Sequence, residues 1–294
     1  FTIAGDHGVV EEGVSAFPQQ VTGQMVQNFL EGGAAINVLA RHTGAKVIVV
    51  DCGVASYLKA HPLLKIKKIG LGTNNMAVGP AMSRDAAIQS IEAGIELIEE
   101  ELAEGIDIVG TGDMGIANTT PSSAILSVLG RMDVVSATGR GTGLDEESIQ
   151  RKIHVIKKAI DVNQPNPNDA IDVLAKIGGY EIGCLAGLCL GAARYRIPVV
   201  LDGFISTAGA LIAHAIEPKV NKYLIASHVS ADKGHRVMLN LLKKVPLLDL
   251  NMRLGEGTGA ALGMNLVEAG VKLLHEMATF HEAGVSKPDK HQDG

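Results

Sequence analysis

The feature that most constrains this chain is a repeated alternation. Short β-branched runs, each closing in a polar and glycine-rich phrase, are separated by longer stretches of helical periodicity. Strand candidates are Phe1–Ala4, Lys46–Asp51, Ile106–Gly110, Pro198–Asp202 and Tyr223–Ala226. Helical stretches include Arg84–Ala103, Glu146–Val162, Ala170–Ile177, Gly183–Arg194 and Gly234–Leu242, with apolar residues near i, i+3, i+4 and i+7. Alternation at this spacing predicts βαβ crossovers. The expected fold is α/β: a Rossmann-like three-layer αβα core with a mostly parallel sheet.

The two ends read differently. Gln19–Thr43 is helical and interrupted at Gly32–Gly33, and Thr258–Thr279 reads as one long helix with no strand after it. These stretches predict a small helical subdomain built from the chain ends. Residues 1–252 then form the large domain, with the helices at about 19–43 able to join the small one, and residues 253–294 supply its C-terminal helix and polar tail. The chain opens on Phe1, inside a strand and without an initiating Met, so we expect an N-terminal truncation that removes part of the small domain.

Composition narrows the function. Among 294 residues, aromatics make up 3%, Trp is absent and the formal charge is −6, so a base-stacking or phosphate-tracking nucleic-acid surface is not expected. Apolar residues at 46% leave ample material for a core. Cys52, Cys184 and Cys189 sit in apolar segments without CxxC spacing, an odd count that suits a reducing compartment. No run of 18 apolar residues and no signal peptide is seen, so the expectation is a cytoplasmic protein without membrane contact.

In open α/β sheets, ligands sit beyond the carboxyl ends of the strands. Those ends here read AGDHG, VVDCG, VGTGDMG, LDGF and ASHVS, where a turn alone would not need repeated acids and glycines. The phrase IDIVGTGDMGIANTTP holds a GxGxxG match at Gly110, Gly112 and Gly115. A dinucleotide fingerprint should run straight into a helix, with an acid about 20 residues on at the end of the next strand. Here the helix start falls at Thr119 or Thr120, Asp133 precedes Val134–Val135, and Asp113 would put negative charge inside the cradle. A glycine turn with a Thr cap is the plainer alternative.

RLGEGTGAALG is the sharper phrase. Gly255, Gly257 and Gly259 flank Glu256 at a helix opening, where free N–H groups could receive an anion. A carboxylate there either caps the helix or performs acid–base chemistry, and Thr258 is already available as a cap. Asp6 and His7 could suggest a metal pair, but adjacent turn residues seldom share one ion, and capping is the simpler role. Lys152, on an amphipathic helix, reads as a solvated surface charge.

At these motifs the chain resembles a known family. AGDHGVVEEGVSAFPQQVTGQMVQNFLEGGAAINVLA, NNMAVGPAMSR at Asn74–Arg84, GDMGIANTTPSSA, GRGTG at Gly139–Gly143, NQPNP at Asn163–Pro167, LDGF, SHVSADKG and RLGEGTGAALGM resemble the nicotinate-nucleotide–dimethylbenzimidazole phosphoribosyltransferase family, in order and over essentially the whole chain. The resemblance implies a homodimer. It also implies transfer of 5-phosphoribose from nicotinate mononucleotide to 5,6-dimethylbenzimidazole, giving α-ribazole 5′-phosphate and nicotinate for cobalamin assembly. Glu256 matches the family's general base. Asp113 stands where the family carries a second catalytic Glu, one methylene longer.

Further roles are implied residue by residue. Met114, Gly115, Ile116, Ala117, Asn118 and Thr119 would wrap the ribose phosphate and the base. Lys152 and Ser230 match phosphate-binding positions, Asp202 lies near the nucleotide, and Phe17, Met25 and Leu254, next to Gly255, line an apolar slot for the acceptor. A pyridinium donor leaves as neutral nicotinate, so neither a metal nor a cofactor is expected. The rival readings are transfer to another acceptor (a purine, another benzimidazole or a phenol), an NAD-binding oxidoreductase using GTGDMG, and a nucleotide sensor that releases no nicotinate.

Overall fold

The structure is a computed structural model and describes residues 1–139 and 145–286. Residues 140–143 of the GRGTG phrase and the tail from 287 lie outside the described residues.

The first half of the chain sets strands β1 (Thr2–Gly5), β2 (Val49–Gly53) and β3 (Leu64–Ile66), with helices α1 (Val21–Glu31) and α2 (Ala35–Thr43) after β1 and α3 (Arg84–Glu101) after β3. The two helices in the Gln19–Thr43 stretch part at Gly32, whose φ of 78° ends α1. Next come β4 (Val109–Gly110), β5 (Gly112–Met114), α4 (Thr119–Leu129), α5 (Val134–Ala137), α6 (Glu146–Asn163), α7 (Ala170–Ile177) and α8 (Tyr180–Arg194). The chain continues through β6 (Val199–Leu201), α9 (Phe204–Ile216), β7 (Leu224–Ala226), β8 (His228–Ser230), α10 (Lys233–Leu241), β9 (Leu248–Met252) and α11 (Thr258–Glu276). Side-chain caps start several helices as their sequences require: Ser83 accepts from Ala86, Asp133 from Val135, Asp145 from Ser148 and Asp169 from Ile171 and Asp172.

Every strand pair is parallel among the described residues. β4 and β5 are two parts of one strand broken at Thr111, and β7 and β8 are two parts of another broken at Ser227. Across these breaks the order runs β3-β2-β1-β5, then β4-β6-β7, then β8-β9, which is the reversing order of a doubly wound sheet. Both faces are covered. Ile3 and Val50 point into the larger core cluster, and their neighbours Ala4 and Val49 point into a second cluster with α1 and α2 residues, the period-two alternation of a three-layer αβα fold.

Some elements lie outside the sequence expectations. α9 shows no polar face in sequence, because its first ten residues are all buried. β9 escapes for the opposite reason, being largely exposed with polar residues inside it. α11 packs on α2 and carries exposed Leu266, Val271, Leu273 and Leu274 on its later turns.

Candidate active site

Strand order reverses beside β1, between it and the β4/β5 strand, and the carboxyl ends of β1, β5, β6 and β8 open on the same edge of the sheet. The polar phrases converge there. β1 delivers Asp6 and His7, β5 delivers Asp113, β6 delivers Asp202, β8 delivers Ser230, and the loop before α11 delivers Glu256.

The glycines of GTGDMG serve protein packing. A Cβ on Gly112 would lie 2.3 Å from the Glu256 carbonyl oxygen, and one on Gly115 would lie 2.3 Å from that of Gly5. Gly112 thus lets the Glu256 loop lie directly on the strand, which accounts for the GxGxxG match without a dinucleotide. α4 begins at Thr119, and Ile116 N–H donates to the Thr22 hydroxyl at 3.1 Å.

Glu256 is a buried carboxylate on a strained backbone. Its φ is 64°, between Gly255 at 78° and Gly257 at 97°. Its backbone carbonyl accepts from the Thr2 hydroxyl at 2.8 Å, and its Oε2 accepts from Ile36 N–H at 3.1 Å in the first turn of α2. Burial raises its proton affinity above that of an ordinary Glu, the α2 amides partly oppose this, and the nearby Asp202 charge reinforces it.

The free N–H groups expected at the α11 N-terminus are taken. Asp202 Oδ2 accepts from Gly257 N–H at 3.0 Å, and Oδ1 accepts from Gly259 at 2.7 Å and Ala260 at 3.2 Å. These amides, which the sequence offers to an anion, are met by the protein's own carboxylate.

Asp113 is buried, and its Oδ2 accepts from the Asn118 amide at 3.0 Å while Oδ1 has no partner among the described residues. Burial first, then the Asp202 carboxyl, with smaller effects from Glu181 and Glu256, push its pKa up to about 8. Glu181, from the first turn of α8, is absent from the sequence candidates. It is fully buried and pairs with His7 Nε2 at 2.7 Å. A lone acid in the buried helix YEIGCLAGLCLG was the available signal. Asp6 is a backbone cap, its Oδ2 accepting from Ala55 N–H at 2.8 Å.

Lys152 overturns the surface-charge reading. It is 0% exposed. Its Nζ lies 2.7 Å from Thr119 Oγ1 at the start of α4, and it forms no ion pair among the described residues. Burial lowers its pKa to about 8, with Asp232 pulling the other way. Ser230 is held on the neighbouring loop: its hydroxyl accepts from Asp232 N–H at 3.2 Å, and its own N–H donates to His235 Nδ1 at 2.8 Å.

Of the three residues expected to line an acceptor slot, Met25 packs with Met114 against the second core cluster, whereas Phe17 is 49% and Leu254 is 58% exposed. Asp6 also faces an open groove of about 510 Å³ between α1 and the loop after β2, rimmed by Gln19, Gln20, Gln24 and Gln27 with Gly23 between them. These glutamines give no sequence signal, because polar residues on a helix read as a solvated face. Among the described residues, no three or more His, Cys, Asp and Glu side chains are grouped to hold a metal ion, and no helix is long and apolar enough to cross a membrane.

Fold and crevice together define a doubly wound α/β enzyme whose polar groups are buried carboxyls and one buried amine at the switch point. The family described as phosphoribosyltransferase matches residues 1–285, and the chain belongs to it. It is a transferase. The nicotinate-nucleotide–dimethylbenzimidazole phosphoribosyltransferase of Geotalea uraniireducens is 59% identical over 98% of this chain and 82% of its own length. That of Geobacter sulfurreducens is 57% identical over the same shares. The crystal structure described as CobT from Thermus thermophilus superposes with a TM-score of 0.94 at 45% identity, over 98% of this chain and 86% of that one.

Proposed function

We propose that this protein transfers 5-phosphoribose from nicotinate mononucleotide to 5,6-dimethylbenzimidazole, with inversion at C1′ and Glu256 as general base. The observation that carries the assignment is Glu256 itself. It is a buried carboxylate of raised proton affinity, presented on a left-handed loop at the switch-point crevice. A base tuned upward from the ordinary Glu range sits closer to working pH, where general-base catalysis is most effective.

The C1′–N bond of the donor breaks with its electron pair returning to the pyridinium nitrogen, so nicotinate departs without a proton. A benzimidazole nitrogen attacks the opposite face of C1′, and the proton on its ring goes to the Glu256 carboxylate. Asp113, once ionised, stabilises the positive charge that develops on the ribose. Lys152 receives the 5′-phosphate: a buried ammonium that forms no ion pair among the described residues, with only the Asp232 charge acting on it from nearby, is costly, and a bound phosphate supplies a direct anionic partner. Ser230 and the start of α4 at Asn118–Thr119 extend that cradle. Met25 and Met114 give the acceptor an apolar wall. The scheme needs no cofactor, because the leaving ring departs neutral at its nitrogen. A homodimer with a small helical unit around α2 and α11 fits the packing of those helices and the exposed apolar residues of α11.

Glu256→Gln keeps the shape and removes the proton acceptor. Donor binding should persist while benzimidazole-dependent nicotinate release falls by about 10²–10⁴-fold. Chromatography of nicotinate and the α-nucleotide checks this, and near-normal turnover would sink the assignment.

A further inference from the structure

The Glu256 loop needs a restraint from outside itself. Gly255, Glu256 and Gly257 all have positive φ, at 78°, 64° and 97°. Glycine adopts this region freely, but Glu does not, so the surroundings must hold Glu256 there. Within the loop, the Thr258 hydroxyl donates to the Gly255 carbonyl at 2.8 Å. That bond tightens the turn but fastens it to no other element.

At Glu256 itself the Thr2 hydroxyl holds the carbonyl at 2.8 Å and the Asp113 carbonyl accepts from the N–H at 3.3 Å, and Asp202 supplies the restraint on the residues that follow. Its carboxylate reaches from the end of β6 to the backbone just after Glu256, accepting from Gly257, Gly259 and Ala260. It is fixed in turn. Its own N–H donates to Thr111 Oγ1 at 3.1 Å, and His228 Nε2 stands 3.7 Å from Oδ1. A Cβ on Gly259 would run into the His228 ring and lie 2.8 Å from Asp202 Oδ1, so only glycine leaves room for this pair against the start of α11. Asp202 is 1% exposed with both oxygens spent on the protein. A ligand in the crevice could reach it only by displacing the loop.

We infer that Asp202 is a positioning residue: by fastening the first amides of α11 to the end of β6 it sets the Glu256 carboxylate, and it acts on turnover through Glu256 without touching substrate. The inference rests on the reading of Glu256 as the base. Other charged groups near this pair are His228 on β8 and Asp113 on β5, with the α2 amides against Glu256. Removing the Asp202 charge lowers the proton affinity of Glu256, so the acid limb of activity moves to lower pH.

The test uses the full chain with four variants: Asp202→Asn, Thr111→Val, Glu256→Gln and the double variant Asp202→Asn with Glu256→Gln. Nicotinate release gives kcat, both KM values and the pH profile of kcat/KM. Asn at 202 turns an amide NH₂ against the α11 N–H groups. We expect kcat to fall by about a hundredfold, as a small misplacement of a reacting group does. Both KM values should stay within about threefold, since no substrate contact is lost. The acid limb should shift downward.

Thr111→Val removes the hydroxyl that accepts from the Asp202 N–H, together with its longer bond to the Val200 carbonyl at 3.4 Å, and leaves the Asp202 carboxylate in place. It should lower kcat in the same sense, by about three- to tenfold with KM unchanged, and it carries the test if Asp202→Asn does not fold. In the double variant, Asp202→Asn should add no loss beyond Glu256→Gln, because the two act as one unit. A raised KM for nicotinate mononucleotide with kcat intact would overturn the inference in favour of a donor contact, and so would additive losses in the double variant. Normal turnover of both Asp202→Asn and Thr111→Val beside an inactive Glu256→Gln overturns this inference alone. An active Glu256→Gln overturns the reading of the base instead.

Discussion

At Asp113, burial and the neighbouring carboxyls of Asp202, Glu181 and Glu256 all favour the protonated form, and the Asn118 amide is too weak an opponent. With its pKa near 8 the residue is a neutral acid at pH 7 in the ligand-free protein. Such a group cannot offer charge to a developing cation until another positive charge arrives. The pyridinium of the donor is that charge, and it favours the ionised carboxylate. Donor binding at pH 7 should therefore release a proton. Calorimetry in buffers of different ionisation enthalpy reads this directly, and Asp113→Asn should abolish the buffer dependence; heats independent of buffer in the unaltered protein would refute it. The same shift bears on stability. The folded chain holds this proton more tightly than the unfolded one, so the contribution is full at low pH and is lost as pH rises from the ordinary 3.8 through about 8. Urea midpoints at pH 6 and pH 9 should differ less for Asp113→Asn than for the unaltered protein. In sequence Asp113 and Glu256 stand out through their glycine neighbours and Glu181 only as a lone acid in an apolar helix, while Lys152 does not stand out, since burial of a charge comes from elements distant in the chain.

Among the elements, the decisive contact is α11 against the central strand. Gly112 permits it: a Cβ there would meet the carbonyl oxygen of Glu256 at 2.3 Å and the nitrogen of Gly257 at 2.6 Å. These are backbone atoms that cannot rotate away. Gly112→Ala should therefore push the Glu256 loop off the strand and lower kcat by about a hundredfold, the scale expected for a misplaced reacting group. Donor affinity should change much less, because Lys152 and Thr119, the proposed phosphate contacts, lie on other elements. Parallel measurement of nicotinate mononucleotide binding and turnover separates the two effects, and a Gly112→Ala protein with full turnover would contradict the geometry. The sequence shows the spacing of Gly110, Gly112 and Gly115, but that spacing is shared by pyrophosphate cradles and by close backbone packing. Only the partner across the glycine tells them apart.

At the scale of the molecule, the layer above the sheet depends on α3 lying close against α8. A Cβ on Gly187 would stand 1.9 Å from the Ile91 carbonyl oxygen, so the two backbones meet with no room for a methyl group. Gly187→Ala should destabilise the fold by about 1–3 kcal/mol through overpacking, read as a lower urea midpoint at an unchanged m-value. A midpoint equal to that of the unaltered protein would show the helices able to part at no cost. The order of most strands and helices, the parallel sheet and the polar edge were legible in the chain, because periodicity and turn chemistry are local properties. So was the candidacy of Glu256, since a Glu among alternating glycines is unusual wherever the chain runs. What the tertiary structure decided was which groups face one another. It placed Asp202 under the α11 amides, a contact that neither segment shows alone. It buried Lys152, which its own helix presents as a surface charge, and it paired His7 with Glu181. The physical reason is the same throughout: a carboxylate or an amine acquires its role from desolvation and from partners brought in by other strands, and no pattern along one segment records those.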